Sequence, residues 1–377
     1  MIAREASPEF GRAGAGPPGT LAGMRIELSP VDPADEAAID DFHRIEAAQR
    51  AADVPDLPPL GRDQIAASIR FPNPSGEHMF LVGRHDGRPV GVLQLDLPQK
   101  DNRHVVGVEL RVLPEQRRHG VGRQLFAAAV AVAREHGRDT LIGDYCAPLD
   151  GGPQRSPAPG AFAAAVGAKA ALDDVRRRLD LSTVDTSDWE PRYADAVARA
   201  AGYTPVCWSG AVPDRFVADV AYLEGRMVID TPMGDLRYEQ EKVDAERIRA
   251  TDEMLHKRAQ VNYHAGVVDD ATGRLVAWTM LIFDVGQFVH AWQGTTIVDP
   301  DHRGHGLGLV VKLANLRLAR AEQPELRTID TWNAAENLHM IAINEALGFT
   351  QIDRWVNWQY DVDGATGSTV ESAHTGQ

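Results

Sequence analysis

The chain has 377 residues, and at about 100–200 residues per domain this length favours two domains over one. Its composition, with 44% hydrophobic and 25% charged residues, is that of a globular protein and excludes wholesale disorder. Lys and Arg number 39 against 54 Asp and Glu, so the formal charge is −15, which argues against a nucleic-acid partner and mildly favours a cationic small molecule.

The cysteines and the chain ends bear on the compartment. Cys146 and Cys207 cannot build a disulfide framework, so a reducing, cytoplasmic location is the simplest expectation. No apolar run approaches the roughly 20 residues that cross a bilayer, so no membrane partner is expected. We expect residues 1–23 to be a disordered leader or an expression remnant, and residues 363–377 to be a flexible tail.

In chain order, the same series of elements is predicted twice. The first half, 24–200, has predicted strands at 79–84, 89–97 and 140–146, with a Gly-rich loop and a helix before the last strand and another helix ending at 162–168. The second half, 201–362, has predicted strands at 263–268, 275–283 and 328–333, again with a Gly-rich loop and a helix before the last strand. The polar segment 182–191 separates the halves, and we place the boundary near Ala201. The repeat predicts a duplicated domain of mixed α/β layering.

The two Gly-rich loops are the strongest motif, and their arginines lie 186 residues apart. Glycine allows close backbone approach and positive φ, and free N–H groups at a helix start can hold a pyrophosphate. One such loop is weak evidence, but two copies, each between a strand and a helix, predict ligand binding rather than a plain turn. The loop residues are Arg117, Arg118, His119, Gly120, Val121 and Gly122, and Arg303, Gly304, His305, Gly306, Leu307 and Gly308.

Both loops fit the pattern Q/R-x-x-G-x-G/A, and the sequence resembles the GNAT (GCN5-related) N-acetyltransferase superfamily. The stretch TWNAAENLHMIAINEALGF at 331–349 resembles the segment that follows the fifth strand in that family. The resemblance implies two fused GNAT domains, each a central mixed β-sheet flanked by helices, arranged as in tandem members such as mycothiol synthase. It also implies acetyl-CoA, or another acyl-CoA, with its pyrophosphate on the loops.

The resemblance gives roles to several residues of the second half. It implies that Asn333 contacts the pantetheine arm, although an asparagine there could instead cap a helix. Asn337 is a further candidate for cofactor contact. Asn344 takes the position where the family often has a tyrosine, and it can donate a hydrogen bond to the leaving thiolate but no proton. A backbone N–H near Val298 is expected to polarise the thioester carbonyl.

Alignment of the halves predicts which of them is catalytic. It pairs Cys146 with Asn333 and Ala163 with Asn344, so the first half lacks both carboxamides. The C-terminal half is therefore predicted to be catalytic. The pattern leaves the general base open between His290, which could equally be a structural histidine, and Glu109 of the first half, which could equally be a solvated carboxylate.

The remaining features receive plain interpretations. His302 and His305 lack a third ligand, so no metal is predicted. Arg176–Arg178 are interpreted as a solvated helix face. The tryptophans of the second half are expected in the core, with one or two lining an acceptor pocket; they are Trp278, Trp292, Trp332, Trp355 and Trp358.

The sequence thus predicts an acetyl-CoA-dependent N-acetyltransferase acting on the primary amine of a small molecule. The alternatives are transfer of a longer acyl chain, an O-acceptor, a protein lysine acceptor, or a non-catalytic acyl-CoA sensor. Neither the acceptor's identity nor the oligomeric state follows from the sequence.

Overall fold

A single mixed sheet runs through the protein. In the computed structural model, residues 24–364 are described, so the predicted leader and all but two residues of the predicted tail lie outside them. Twelve strands of this part form the sheet, with helices on both faces, which confirms the predicted α/β fold class. None of the described helices is long and apolar enough to span a membrane.

We call residues on either side of the predicted boundary the first and second halves. The strands of the first half are β1 (Glu27–Pro30), β2 (Gly76–His85), β3 (Arg88–Pro98), β4 (Val105–Val112), β5 (Thr140–Ala147) and β6 (Lys169–Asp180). Its helices are α1 (Glu36–Asp53), α2 (Arg62–Arg70), α3 (Val121–Glu135), α4 (Ala158–Val166) and α5 (Trp189–Arg199).

The second half repeats this series, and the predicted boundary falls between α5 and its first strand. The strands are β7 (Tyr203–Ser209), β8 (Val261–Asp269), β9 (Leu275–Phe283), β10 (His290–Val298), β11 (Thr328–Ala334) and β12 (Thr350–Asp361). The helices are α6 (Val217–Glu224), α7 (Met227–Asp230), α8 (Ala245–Lys257), α9 (Leu307–Glu322) and α10 (Leu338–Ala346). The two hairpins and the helix after each Gly-rich loop are confirmed.

The sixth strands of the two halves are exchanged. The strand order is β1-β2-β3-β4-β5-β12-β6-β11-β10-β9-β8-β7, so β12 pairs with β5 of the first half and β6 pairs with β11 of the second. The two exchanged strands also pair with each other, antiparallel, at the centre of the sheet. Each half therefore completes its sheet with the last strand of the other.

In each half, two parallel strands pair for only three residues and then separate. In the first half β4 pairs with β5 from Val105 to Gly107, and in the second β10 pairs with β11 from His290 to Trp292. In each pair both strands continue beyond that point, but they no longer form hydrogen bonds with each other. We call the last paired residues of each pair the apex of that half; the gap beyond each apex opens toward the Gly-rich loop.

The helices divide between two faces of the sheet. Helix α3 packs through Leu125 and Ala129 on one face, with α4 beside it, and α9 packs likewise on that face of the second half. We call this the loop-helix face. Helix α1 packs through Ile39 and Phe42 on the opposite face, which we call the cavity face.

The interpretation of Arg176–Arg178 as a solvated helix face is wrong. These residues lie in β6, and Arg176 and Arg177 are buried. Charged residues can occupy a central strand here because carboxylates from distant parts of the chain neutralise two of them. Arg178 forms two hydrogen bonds with Asp330 of β11, at 2.7 and 2.6 Å.

A buried ion network joins the halves around Asp353 of β12. Its carboxylate accepts hydrogen bonds from Arg176 at 2.9 and 2.6 Å and from Arg155 at 2.9 and 2.7 Å. Burial alone would raise the pKa of Asp353, but the two arginines hold it below its ordinary value. Asp56, in the connection between α1 and α2, contacts both guanidiniums.

Asp353→Asn should destabilise the protein strongly, because it removes the buried charge that accepts four hydrogen bonds from the guanidiniums of Arg155 and Arg176. We expect a loss of about 3–5 kcal/mol in the free energy of unfolding, measured by urea denaturation. The matched control is Asp188→Asn, which removes an exposed ion pair with Arg192 and should cost less than about 1 kcal/mol. Equal losses in the two variants would show that the network does not hold the halves together.

Candidate functional site

Both Gly-rich loops have the backbone geometry expected of an anion-binding turn. Gly120 and Gly306 precede α3 and α9 with φ of 84° and 73°. Gly304 has φ of 86°, and its counterpart Arg118 takes the same left-handed region at 67° although it has a side chain. The two loops therefore share one conformation despite this difference in sequence.

The loops present free donors at the helix starts. Among the described residues, no protein acceptor is found for the backbone N–H groups of 118–123 and 304–308. Gly122 and Gly308 bring the next helix close, since a Cβ there would lie 3.2 Å from Phe162 and 2.9 Å from Ile343. Both loops thus fit a pyrophosphate held by backbone groups.

The loop arginines are held by aspartates. Arg117 forms two hydrogen bonds of 2.8 Å with Asp53 at the end of α1, and Arg303 lies 3.0 Å from Asp230 at the end of α7. Each arginine thereby fixes its loop to the first helical segment of the same half, by which we mean α1 in the first half and α6 with α7 in the second.

The first helical segments carry a second repeated acid, which the sequence analysis missed. Glu46 of α1 and Glu224 of α6 each precede the aspartate that holds the loop, by seven and six residues. Glu46 lies 2.9 Å from Arg111 of β4, and Glu224 accepts a hydrogen bond of 3.1 Å from Thr295 of β10. The patterns IEAAQRAAD and LEGRMVID carried the signal, but their different lengths hid it.

A cavity of about 470 Å³ lies on the cavity face of the first half. Its walls come from β2, β3 and β4, from α1 and α2, and from Arg258 and the neighbourhood of α8 in the second half. Its size is within the range of small-molecule sites. Both halves therefore build one pocket.

Carboxylates gather where this cavity meets the gap between β4 and β5. Arg111 lies between Glu46 and Glu109, with its Nη2 2.7 Å from Glu109. Burial raises the pKa of Glu46 to about 7, against the opposing charge of Arg111. The pKa of Asp144 on β5 is raised to about 6, although this residue is exposed to solvent. Desolvation by the surrounding protein is the larger cause, and the negative charge of Glu109 is the next.

The corresponding place in the second half holds two indole rings. By strand pairing, Trp292 takes the position of Gly107 and Trp332 that of Asp144. Their ring centroids lie 5.7 Å apart, and Trp332 packs in turn against Trp355. On this face the first apex thus carries a glycine and a carboxylate where the second carries two indole rings. Trp292 borders a second, smaller cavity beside α2.

The predicted carboxamides of the second half bind one another. Asn344 is buried, donates to Asn333 at 2.6 Å, and accepts from Lys312 of α9 at 2.8 Å. Lys312 also donates to Gln293 of β10 at 3.2 Å, and burial lowers its pKa to about 7. Nothing in the sequence pattern indicated that Lys312 would be buried.

Two predictions about the asparagine segment change, one on its alignment with the first half and one on its helix cap. Strand pairing places Tyr145, not Cys146, opposite Asn333 in the repeat, so that alignment was one residue out. Asn337 caps α10, its side chain accepting from the N–H of Met340 at 3.2 Å, so capping belongs to this residue rather than to Asn333.

The other predicted residues are dispersed. His290 is buried, bonds Thr328 at 2.8 Å, and has a pKa lowered by burial to about 4. It lies on the opposite face of the sheet from Asn344, and Glu109 is in the other half. Val298 pairs with Ala277, six residues beyond the β10–β11 apex.

The loop histidines are engaged locally. Tyr203 stacks near His305 and bonds Nδ1 of His302 at 2.9 Å. Across residues 24–364, no group of three or more His, Cys, Asp or Glu is placed to hold a metal ion.

Lys312→Met should remove a pH dependence of stability. Because the folded-state pKa is near 7 and the unfolded one is near its usual ~10.4, the unfolded chain binds more protons in this window. Wild-type stability should therefore rise relative to the variant between pH 7 and 9.5, by up to about 3 kcal/mol. Thermal unfolding at both pH values measures this, with the exposed Lys257→Met as the control; parallel curves for Lys312→Met and wild type would contradict the buried site.

Comparison with known proteins places this geometry in a family. The sequence model of the acetyltransferase (GNAT) family matches residues 40–143. A tandem GNAT protein from the clavulanic acid biosynthesis pathway is 34% identical, with a TM-score of 0.76 over 90% of this chain and 99% of that one. A GCN5-related N-acetyltransferase from Sphaerobacter thermophilus shares the fold, at 14% identity and a TM-score of 0.62 over 89% of this chain and 96% of that one.

No curated protein sequence matches the chain significantly. The predicted resemblance is nevertheless confirmed by the family match and by the tandem relative, and the loop geometry fits acetyl-CoA. The chain belongs to the GNAT family as a tandem member, and it is an acetyl-CoA-dependent acetyltransferase.

Proposed function

We propose that the enzyme acetylates the primary amine of a small cationic molecule, and that transfer takes place in the first half. The observation that carries this proposal is the contrast between the two apices. The first apex carries Gly107 and Asp144, close to Glu109 of the large cavity, whereas Trp292 and Trp332 occupy the matching positions of the second. We infer that an acceptor reaches the thioester from the cavity of the first half.

The two apices are too far apart to share one reaction. Four strand spacings separate the gap between β4 and β5 from the gap between β11 and β10, or roughly 19 Å at about 4.8 Å per spacing. A thioester at the second apex would therefore lie out of reach of Glu109. The proposal reverses the expectation that the C-terminal half is catalytic, which rested on Asn333 and Asn344.

The acidic end of the cavity supports an amine acceptor. An ammonium ion must lose a proton before it can attack, and Glu109 faces the cavity with 43% of its side chain exposed. Asp144 and Glu46 place two further carboxyl groups beside it, whose charge the guanidiniums of Arg111 and Arg50 offset in part. We assign proton acceptance to Glu109 and attraction of the cation to the group.

The chain's other groups would hold the donor. The free N–H groups of 118–123 fit its pyrophosphate, and the gap between β4 and β5 fits the extended arm. Coenzyme A, when bound, supplies the activated thioester. Asn344 and His290 have no part in this proposal, because both are buried within the second half. A cytoplasmic location remains part of the proposal on the strength of the two unpaired cysteines.

Glu109→Gln should lower kcat by about 10²–10³-fold, because the amide cannot accept the amine's proton. Thiol release from acetyl-CoA, measured with a panel of small amines across pH 6–9, tests this. Glu115→Gln, at an exposed position in the connection that follows β4, is the control and should match the wild type. Unchanged kcat and an unchanged pH profile for Glu109→Gln would remove it from catalysis.

Paired loop variants decide which half transfers the acetyl group. Gly120→Asp and Gly306→Asp are matched, since both positions have left-handed φ and neither Cβ would touch anything within 4 Å. Aspartate tolerates this conformation, and its charge repels a pyrophosphate. We expect Gly120→Asp to lower kcat/KM for acetyl-CoA at least tenfold and Gly306→Asp to lower it less than threefold. The reverse pattern would restore the second half as the catalytic one.

A further inference from the structure

Two arginines on the cavity wall form no close ion pair. Arg50 of α1 and Arg258, just after α8, both line the cavity, and neither forms an ion pair within residues 24–364. Each makes one recorded hydrogen bond to a backbone carbonyl: Arg50 to Pro58 at 3.0 Å and Arg258 to Phe71 at 2.8 Å. Most of their N–H groups are therefore available to a ligand.

The nearby carboxylate of Asp284 forms no ion pair with either arginine. Asp284 is buried, and its oxygens accept from Gln64, Gln260 and Trp292, each at 2.8 Å. These three donors are neutral, so the aspartate is satisfied without an arginine. Burial lowers the pKa of both Arg50 and Arg258, as expected for guanidiniums that would gain from an anion.

The other arginines of the cavity are already paired. Arg111 lies between Glu46 and Glu109, and Arg247 contacts Asp101 at 3.0 Å. The cavity therefore has an end rich in carboxylates and a wall with unpaired guanidiniums. Arg50 lies one helical turn beyond Glu46 on α1, so the Cβ atoms of these two oppositely charged residues are about 5–6 Å apart.

We propose that the acceptor is zwitterionic: a small amine that also carries a carboxylate, seated with its ammonium near Glu109 and its carboxylate between Arg50 and Arg258. This inference rests on the proposed first-half site and specifies its substrate class. Guanidinium and carboxylate suit each other through paired hydrogen bonds, so the arginines would select amino acids over plain amines.

Binding, measured separately from turnover, tests the proposal. Isothermal titration of the full-length protein would compare L-leucine, L-phenylalanine, 4-aminobutyrate and 6-aminohexanoate, each with the amine left when its carboxylate is removed. We expect at least one amino acid to bind tenfold or more tightly than its matched amine. In Arg50→Gln and Arg258→Gln that ratio should fall toward one.

Arg44→Gln, on an exposed part of α1, is the matched control and should keep the wild-type ratio. Amines that bind as tightly as the amino acids, a ratio that survives both cavity variants, or no binding of any probe would each overturn the zwitterionic acceptor. Loss of turnover in Glu109→Gln with the ratio intact supports both proposals. A normal ratio with turnover insensitive to Glu109→Gln and Gly120→Asp would overturn the first-half transfer site alone.

Discussion

The parting of two parallel strands is the constraint on which this architecture depends. In each half the strands before and after the Gly-rich loop helix share three paired residues and then separate, which leaves backbone groups unpaired along an open gap. A protein interior does not tolerate such a gap unless something fills it. An extended ligand can do so in the first half, whereas the second half places a lysine and three amide side chains beside its gap.

Duplication then allowed the two copies to diverge. Both keep the left-handed loop, the arginine held by an aspartate, and a glutamate on the first helical segment. The exchanged strands join the copies through the buried network around Asp353, so neither sheet is complete by itself. Because the copies are joined in this way, one apex could acquire two tryptophans while the other kept a glycine and a carboxylate near a pocket that both halves build.

The sequence predicted the parts governed by local rules. Alternating apolar residues, turn residues and the two glycine patterns were enough to locate the hairpins, the loops and the duplication. The sequence-based prediction failed where contacts between residues far apart in the chain determine the structure. Arg176 looked solvated because its partners, Asp56 and Asp353, lie more than 100 residues away in the chain. Asn344 was interpreted as a catalytic donor because nothing in the sequence around it indicated that Lys312 would donate a hydrogen bond to it. The residue opposite Asn333 was misjudged by one position because helix α9 and the connection to β11 are longer than their counterparts in the first half, and nothing local in the sequence marks where the extra residues lie.

The central claim is that the acetyl group is transferred at the first apex. A crystal structure with coenzyme A and an N-acetylated amino acid bound together tests it most directly. The account predicts the thiol end of coenzyme A beside Gly107 and Asp144, with the acetylated nitrogen next to Glu109. Product bound beside Trp292, with the first cavity empty, would contradict it.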